Sequence, residues 1–272
     1  MKVAVIQMVS SPDVADNLHT AQQLVAHAAQ QGAQLVGLPE YFCGMGMRDT
    51  DKLQWCEALG DGPIQSALSH WAATHGIWLV GGTIPLQTAQ PQRVRNTSLL
   101  FSPEGAQAAQ YDKIHLFRFQ TEHEHYDESV VIEPGATPVV APITDRQGHV
   151  WKLGMSVCYD LRFPELYRQQ AALGADILLA PSAFTHTTGQ AHWEVLLRAR
   201  AIENQCWMLA AAQGGQHANG RLTWGHSMVV GPWGEILAQC TQPGPGAACA
   251  VLDLALLRQV RSRLPALEHR VL

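Results

Sequence analysis

The chain has 272 residues, of which 47% are hydrophobic, and a formal net charge of −5 at pH 7. This length allows one sizeable core, and no linker-like stretch suggests a split, so we predict a single domain over residues 1–272. Because basic and acidic residues are dispersed along the chain, the composition argues against nucleic-acid and membrane partners.

The N-terminus begins directly in a strand pattern, without the charged leader and separate apolar segment of an export signal. No apolar stretch reaches the roughly 20 residues that a membrane-spanning helix needs. We therefore expect a cytoplasmic protein. The six cysteines include no C-x-x-C pair, so we expect free thiols rather than disulfides or a zinc site.

Apolar runs alternate with segments of helical periodicity along the chain. For the first helix we predict Ser11 as N-cap, Pro12 at the first helical position and an end at Gly32. Further helices are predicted at residues 62–75, 164–173, 190–204 and 254–264. Strands are predicted near residues 2–8, 34–38, 77–84, 94–101, 150–157, 176–180, 206–211, 223–230 and 247–252.

This alternation predicts a layered α/β protein rather than an all-β sandwich. The strands at 77–84 and 94–101 follow each other closely, which favours antiparallel pairing inside a mixed sheet.

Glu40 follows an apolar strand-like run directly after Pro39. In α/β proteins the ends of strands form the rim at which ligands bind, so this carboxylate is a candidate site residue. The alternative interpretation is a solvated loop acid.

Lys113 lies between a polar strand end and a short apolar segment. It is a candidate cation for the same site. A surface lysine whose stem packs on apolar groups is the alternative.

Cys158 ends the apolar run 152–157 and opens a turn that leads into a helix. A thiol beside the free backbone amides of a helix start experiences a positive potential, which favours the thiolate and predicts a nucleophile. A buried structural cysteine is the alternative.

These three residues lie in motifs that occur together and in order. Together they resemble the Glu, Lys and Cys motifs of the nitrilase superfamily of carbon–nitrogen hydrolases, and the likeness spans nearly the whole chain. The motifs are Leu38-Pro39-Glu40, Tyr111-Asp112-Lys113-Ile114-His115-Leu116 and Cys158-Tyr159-Asp160-Leu161-Arg162-Phe163-Pro164-Glu165. Matching flanks are Arg95-Asn96-Thr97, Pro181-Ser182-Ala183-Phe184, Ala191-His192-Trp193-Glu194 and Gly225-His226-Ser227-Met228.

The resemblance implies a four-layer αββα sandwich. Nitrilase relatives also pair through helices, so it implies a homodimer or a higher even-numbered oligomer. The third and fourth predicted helices are the candidate interface.

Amide hydrolysis needs a nucleophile, a proton shuttle and a donor for the oxyanion. We hypothesise that Cys158 attacks the carbonyl carbon, that Glu40 moves the proton, and that Lys113 with the backbone N–H of Tyr159 stabilises the oxyanion. A thioester would then be hydrolysed by water.

Glu128 matches the second glutamate that nitrilase relatives carry before the cysteine. The resemblance gives it a supporting role toward Lys113 or the substrate amide. A solvated acidic loop formed with Glu122, Glu124 and Asp127 is the main alternative.

Three histidines lie close together in sequence at His115, His123 and His125. Their spacing fits no usual metal-ligand pattern, so we expect neither a metal nor a cofactor.

The stretch from Ser182 to Met228 resembles the branch of the superfamily that hydrolyses deaminated glutathione to 2-oxoglutarate and cysteinylglycine. The sibling branch, ω-amidase, acts on 2-oxoglutaramate. Ser182 and Thr185, where the sibling more often has Gly and Asn, favour deaminated glutathione.

By the same resemblance, Arg162 would bind the carboxylate of a 2-oxo acid, with Phe184 and Thr188 lining the acyl pocket. An ion pair of Arg162 with Glu165 or Glu194 is the alternative.

Three further functions stay open at this point: a nitrilase, a catalytically silent binding protein and a thiol redox sensor. The loop at residues 41–48 departs from both sibling branches and leaves the exact substrate open. Within it, Cys43 has no base beside it in sequence and is interpreted as a bystander.

Overall fold

The computed structural model describes residues 1–122 and 125–271. The helices are α1 (Val14–Gln30), α2 (Pro63–His75), α3 (Pro164–Ala172), α4 (His186–Asn204) and α5 (Leu254–Arg263). Short 3₁₀ helices span Asp49–Trp55, Glu128–Val130 and Cys158–Arg162. The strands are β1 (Lys2–Met8), β2 (Leu35–Gly37), β3 (Trp78–Val80), β4 (Ile84–Gln87), β5 (Val94–Phe101), β6 (Gln107–Asp112), β7 (Arg118–Gln120), β8 (His125–Asp127), β9 (Val139–Thr144), β10 (Val150–Met155), β11 (Ile177–Leu179), β12 (Trp207–Ala210), β13 (Ala212–Gln216), β14 (Leu222–Trp224), β15 (Met228–Val230), β16 (Ile236–Gln239) and β17 (Gly246–Val251).

Two mixed sheets contain all of these strands except β7 and β8, which pair with each other in a separate two-stranded sheet. The first is nine-stranded, with the path β14-β13-β1-β2-β3-β5-β4, β17 paired to β1 and β6 paired to β5. The second is six-stranded in the order β16-β15-β12-β11-β10-β9. As predicted, β3 and β4 both pair antiparallel with β5 inside a mixed sheet.

The alternation of side chains along β1 explains how the layers stack. Val3 and Val5 share a core cluster with Ile143 and Leu153 of the second sheet. The even-numbered positions of the same strand, such as Ile6, belong to a separate core that includes residues of α1 and α2. Since successive strand residues point to opposite faces, β1 is covered by helices on one side and by a sheet on the other.

The outer layers complete the sandwich. Helices α1 and α2 contact the first sheet, and α3 and α4 contact the second. The order is therefore helices, sheet, sheet, helices, which confirms the four-layer αββα fold. Among the described residues, no helix is both long and apolar enough to span a membrane.

Two helix starts differ from the predictions. Asp13, not Ser11, caps α1, because its carboxylate accepts from the backbone N–H of Asp16 while the Ser11 hydroxyl accepts from the N–H of Asp13. Helix α4 begins at His186 rather than at residue 190, since the Thr185 side chain caps it.

Two predicted strands are each divided. Residues 223–230 split into β14 of the first sheet and β15 of the second, because Gly225 and His226 have positive φ angles of 72° and 55°. Residues 77–84 contain β3 but only the first residue of β4, and Gly82, whose φ is 50°, lies between the two strands.

Six strands lie entirely outside the predicted segments. Most are short or polar edge segments that lack strong alternation, and β9 contains a proline. They are β6, β7, β8, β9, β13 and β16.

Candidate active site

Glu40 lies just beyond the end of β2, and the chain around it is tightly packed. A side chain at Gly82 would place its Cβ 2.0 Å from the carbonyl oxygen of Pro39, so this approach requires glycine. Glu40 is only 1% exposed. Its Oε1 accepts from Asn96 Nδ2 at 2.9 Å and from Lys113 Nζ at 2.8 Å. The alternative of a solvated loop acid is therefore wrong.

The other Glu40 oxygen, Oε2, accepts from the backbone N–H of Ala183 at 2.9 Å. Asn96 and Ala183 were not singled out in sequence as ligands of this carboxylate, although both lie in segments that carry the family resemblance. The two contacts fix the carboxylate from the two sheets, since Asn96 belongs to β5 and residue 183 follows β11.

Lys113 follows β6 and is completely buried. Its ammonium donates to Glu40 Oε1 at 2.8 Å and to Glu128 Oε1 at 2.9 Å. Burial alone would lower the pKa of Lys113, but the charges of Glu128 and Glu40 outweigh it and raise the pKa above its usual value. Lys113 is therefore a paired internal cation, and the surface-lysine alternative is wrong.

Glu128 is the acid of its loop that reaches this cation. It also accepts from the Tyr41 hydroxyl at 2.7 Å and from the backbone N–H of Phe117 at 2.7 Å. Burial alone would raise the pKa of Glu128, but Lys113 outweighs it and lowers the pKa. Asp127 instead accepts from Ser129. Glu122 is exposed, and Glu124 lies outside the described residues. We call Glu40, Lys113 and Glu128 the ion cluster.

Cys158 begins the 3₁₀ helix after β10 and has a positive φ of 51°. Its own backbone N–H donates to the Pro181 carbonyl at 3.0 Å. Burial, followed by the charge of Glu40, raises the pKa of the Cys158 thiol well above its usual value, with Lys113 opposing. The expectation that a helix start favours the thiolate is wrong here, because desolvation and the nearby carboxylate outweigh that effect. This environment favours the neutral thiol over the thiolate.

Asp160 holds the Lys113 segment against the Cys158 turn. This fully buried carboxylate accepts from the Tyr111 hydroxyl at 2.7 Å and from the backbone N–H of Val157 at 2.8 Å. It also accepts from the backbone N–H of His115 at 3.0 Å. Tyr111 and His115 flank Lys113, so Asp160 fixes the lysine relative to the cysteine. The sequence analysis quoted Asp160 within the cysteine motif but gave it no role.

A narrow cavity of about 10 Å³ brings the predicted residues together. We call it the inner cavity. Its walls include seven of the predicted site residues: Glu40, Glu128, Cys158, Tyr159, Arg162, Phe184 and Thr188. Lys113 lies behind Glu40 through their hydrogen bond.

The comparisons with known proteins agree with this geometry. The family model described as carbon-nitrogen hydrolase matches residues 2–262. The chain belongs to the carbon–nitrogen hydrolase family.

A deaminated glutathione amidase of Synechocystis is 41% identical over 270 residues, covering 98% of this chain and 97% of that protein. The NitFhit protein of C. elegans has a similar structure, with a TM-score of 0.90, 36% identity, and coverage of 99% of this chain and 64% of that one. Nit3 of Saccharomyces cerevisiae, a member of branch 10 of the nitrilase superfamily, gives 0.85 at 31% identity, with 97% and 94% covered. These likenesses confirm the resemblance to the nitrilase superfamily.

Arg162 of this carbon–nitrogen hydrolase lies over aromatic rings rather than in the alternative ion pair. Its guanidinium is 5.7 Å from the ring centre of Tyr159 and 5.4 Å from that of Phe184. Glu194 instead pairs with Arg198 at 3.1 Å. Within the described residues Arg162 has no ion pair with Glu165 or Glu194, so that alternative is wrong.

The two residues that favoured one sibling branch differ in position. Thr185 lines the inner cavity and caps α4. Ser182 is fully buried, and its hydroxyl donates to the Ala180 carbonyl at 3.0 Å. The Ser182 side chain therefore stabilises the local fold and does not line the inner cavity.

A larger cleft of about 550 Å³ opens beside the inner cavity. We call it the outer cleft. The two share Phe117, Glu128 and Arg221. One wall is the loop that follows Glu40, so the segment that departs from both sibling branches borders the site. Arg221, which donates to the Ala183 carbonyl at 2.7 Å, gave no signal in the sequence.

Cys43, the other cysteine near Glu40, and His115, one of the histidines considered as metal ligands, lie outside the reacting centre. Burial raises the pKa of Cys43 to about 12, which fits its interpretation as a bystander. His115 bonds to Asp160 and stacks on Phe163 with ring centres 3.7 Å apart. His123 lies outside the described residues. Within residues 1–122 and 125–271 no cluster of three His, Cys, Asp or Glu side chains is suited to a metal.

Proposed function

We propose that this carbon–nitrogen hydrolase cleaves the linear amide of deaminated glutathione, giving 2-oxoglutarate and cysteinylglycine. The observation that carries the chemistry is the ion cluster beside the neutral thiol of Cys158. The choice of substrate is supported by the likeness to the Synechocystis amidase over nearly the full length of both chains.

The first step transfers a proton from the Cys158 thiol to the ion cluster. Glu40 takes the thiol proton as the Cys158 sulfur attacks the amide carbon. This transfer leaves the total charge of the site unchanged, whereas loss of the proton to solvent would add a buried negative charge. The high pKa of the thiol therefore makes Glu40 necessary as the base.

The second step stabilises the oxyanion and releases the amine. Lys113 and the backbone N–H of Tyr159, in the first turn of the 3₁₀ helix, donate to the negative oxygen. Glu40 then gives its proton to the leaving nitrogen, which breaks the C–N bond and leaves a thioester on Cys158.

In the third step Glu40 takes a proton from water, and the resulting nucleophile attacks the thioester carbon. The Cys158 sulfur leaves and recovers its proton, and 2-oxoglutarate is released. Glu128 does not enter these steps. It positions Lys113 through their ion pair.

Arg162 is the proposed partner of the 2-oxo acid carboxylate, with Phe184 and Thr188 beside the acyl chain. Its guanidinium lies at the wall of the inner cavity and packs on aromatic rings, and it has no ion pair with a carboxylate among the described residues. Because the inner cavity is narrow, we expect Arg162 to move as the acyl group enters.

The deciding experiment measures kcat/KM for deaminated glutathione, 2-oxoglutaramate and a simple nitrile on one enzyme preparation. We expect deaminated glutathione to exceed 2-oxoglutaramate by at least about tenfold, or 1.4 kcal/mol of transition-state discrimination. A reversed preference would assign the chain to the ω-amidase reaction. Mass spectrometry of acid-quenched enzyme should find a 2-oxoglutaryl adduct on Cys158.

A homodimer joined through α3 and α4 and a cytoplasmic location remain predictions. Support for the first comes from apolar side chains at the surface of this layer: Leu173 is 54% exposed and Val195 is 67% exposed. Light scattering on the purified protein tests it, since a monomeric mass would contradict the proposal.

A further inference from the structure

The outer cleft is an extension of the catalytic site. The inner cavity, at about 10 Å³, has no room for a dipeptide beside the acyl chain. The outer cleft, at about 550 Å³, has the size of a small-molecule site and joins the inner cavity at Phe117, Glu128 and Arg221. A leaving group larger than ammonia therefore has a path into the outer cleft.

Lys52 provides this cleft with a poorly neutralised cation. Its side chain is only 14% exposed, and among the residues that the structure describes its one ion pair is with Asp49 Oδ1 at 4.0 Å. The Asp49 side chain is itself 67% exposed, so water weakens this pair. Burial lowers the pKa of Lys52, as expected for an ammonium that has lost water without a close carboxylate among the described residues.

Most of the other charges at the cleft are engaged by neighbouring groups. Arg48 pairs with Asp51, and Asp127 accepts two hydrogen bonds from Ser129. Glu128 belongs to the ion cluster. Arg221 uses one nitrogen on the Ala183 carbonyl and lies over the Tyr126 ring at 5.0 Å, and its Nε has no hydrogen-bond partner among the described residues. Arg221 lines both cavities, however, so it lies where the outer cleft joins the reacting centre, whereas Lys52 lines the outer cleft without lining the inner cavity.

Tyr41 connects Lys52 with the ion cluster. The Lys52 ammonium lies 5.3 Å from the centre of the Tyr41 ring, and the hydroxyl of the same ring donates to Glu128 at 2.7 Å. The loop after Glu40 thus places one lysine at a fixed position outside the reacting centre.

We propose that the outer cleft binds the amine leaving group and that Lys52 binds its terminal carboxylate. This inference rests on the proposed function, because cysteinylglycine carries such a carboxylate and ammonia does not. Lys52 is then a specificity-determining residue. It separates two substrates that give the same thioester.

The test compares three substrates: deaminated glutathione, the same molecule with its C-terminal carboxylate converted to a carboxamide, and 2-oxoglutaramate. In the wild type we expect the carboxylate form to exceed the carboxamide form in kcat/KM by about ten- to a hundredfold, the range of a charge-assisted hydrogen bond. In Lys52→Met this preference should fall to about twofold. The kcat/KM for deaminated glutathione should fall at least tenfold more than that for 2-oxoglutaramate.

Lys152→Met is the matched control, because Lys152 is an exposed lysine far along the chain that donates to the Leu173 carbonyl. It should keep the wild-type preference. Equal losses on all three substrates in Lys52→Met, or an unchanged preference, would overturn the role of Lys52.

The wild-type measurement needs no variant, so it decides even if Lys52→Met does not fold. Equal hydrolysis of the carboxylate and carboxamide forms by the wild type would overturn the inference alone. Wild-type enzyme that hydrolyses only 2-oxoglutaramate would overturn the proposed function and the inference with it.

Discussion

The ion cluster and the outer cleft hold their lysines in opposite ways. Lys113 is completely buried and has carboxylate oxygens at 2.8 and 2.9 Å. Lys52 has one carboxylate at 4.0 Å, and that group is largely in water. Two lysines in neighbouring regions of the site thus differ in how far the protein itself neutralises their charge.

This difference separates chemistry from specificity. A cation with two close carboxylates has a fixed position and serves a reaction in which a proton moves over short distances. A desolvated cation without a close partner has interaction energy left for a ligand. We therefore expect changes in the ion cluster to affect every substrate alike, and changes in the outer cleft to depend on the leaving group.

The strongest test of the inner region removes the nucleophile or the base. Cys158→Ala and Glu40→Gln should each lower kcat by at least about 10²–10⁴ on deaminated glutathione and on 2-oxoglutaramate equally, since both reactions need the same proton transfer. Steady-state kinetics with both substrates measure this.

Cys43→Ala is the matched control, because Cys43 is another buried thiol of the same site region but makes only a weak contact to the Thr83 carbonyl at 3.8 Å. It should retain most activity. Near wild-type rates in Cys158→Ala, or a loss confined to one substrate, would refute the common mechanism.

The next effect concerns stability and its pH dependence. Glu128→Gln breaks a buried ion pair and should destabilise the fold by about 3 kcal/mol at pH 7. Because the pKa of Glu128 is lowered in the folded state, this stability is present above the unfolded value of about 4.3 and is lost as the pH falls through the folded value. The gap between variant and wild type should therefore shrink below about pH 4.

Urea denaturation of both proteins between pH 7 and pH 3 gives this gap directly. Glu122→Gln, which changes an exposed acid of the same loop, should show almost no gap at any pH. A gap that stays constant down to pH 3 would mean that Glu128 is not held as a carboxylate by Lys113.

A smaller effect is expected at Tyr111, which holds Asp160 from the lysine side. Tyr111→Phe removes one hydrogen bond to a buried carboxylate and should cost about 2 kcal/mol of stability. If Asp160 positions Lys113 and Cys158, kcat should fall severalfold with KM nearly unchanged.

Tyr167→Phe is the matched control, since that hydroxyl is equally buried but bonds to Ser156 at 2.6 Å. It should lose stability without the same loss of kcat. Equal kcat values in the two variants would reduce Tyr111 to a structural role.

The sequence was sufficient for the parts of the site that depend on residue type and order. Glu40, Lys113 and Cys158 stand at strand ends, and strand ends of one sandwich converge on one rim, so their meeting followed from the family motifs and the α/β pattern. The protonation state of Cys158 did not follow, because it depends on burial and on carboxylates brought in from distant segments.

Contacts between distant segments also could not be predicted from the sequence. The bond from Ala183 to Glu40 joins residues 143 positions apart, and Arg221 reaches the site from the β13–β14 hairpin. Periodicity carries no information about such pairs. The same limit applies to Ser182 and Thr185, which are close in sequence although Thr185 lines the inner cavity and Ser182 does not.

The smallest predicted effect concerns the acyl end of the substrate, which is common to both substrates. Arg162→Lys keeps the charge but loses the planar guanidinium that can grip a carboxylate with two nitrogens. If Arg162 binds the 2-oxo acid carboxylate, KM should rise about tenfold for deaminated glutathione and for 2-oxoglutaramate alike, because both contain that acid. Arg146→Lys, at an exposed position, is the control and should change neither value. An unchanged KM in Arg162→Lys would leave the acyl carboxylate without this partner, whereas a rise confined to deaminated glutathione would move Arg162 to the leaving-group side. An equal rise of KM on both substrates, together with the leaving-group dependence expected for Lys52, would show that two different cations bind the two ends of the substrate.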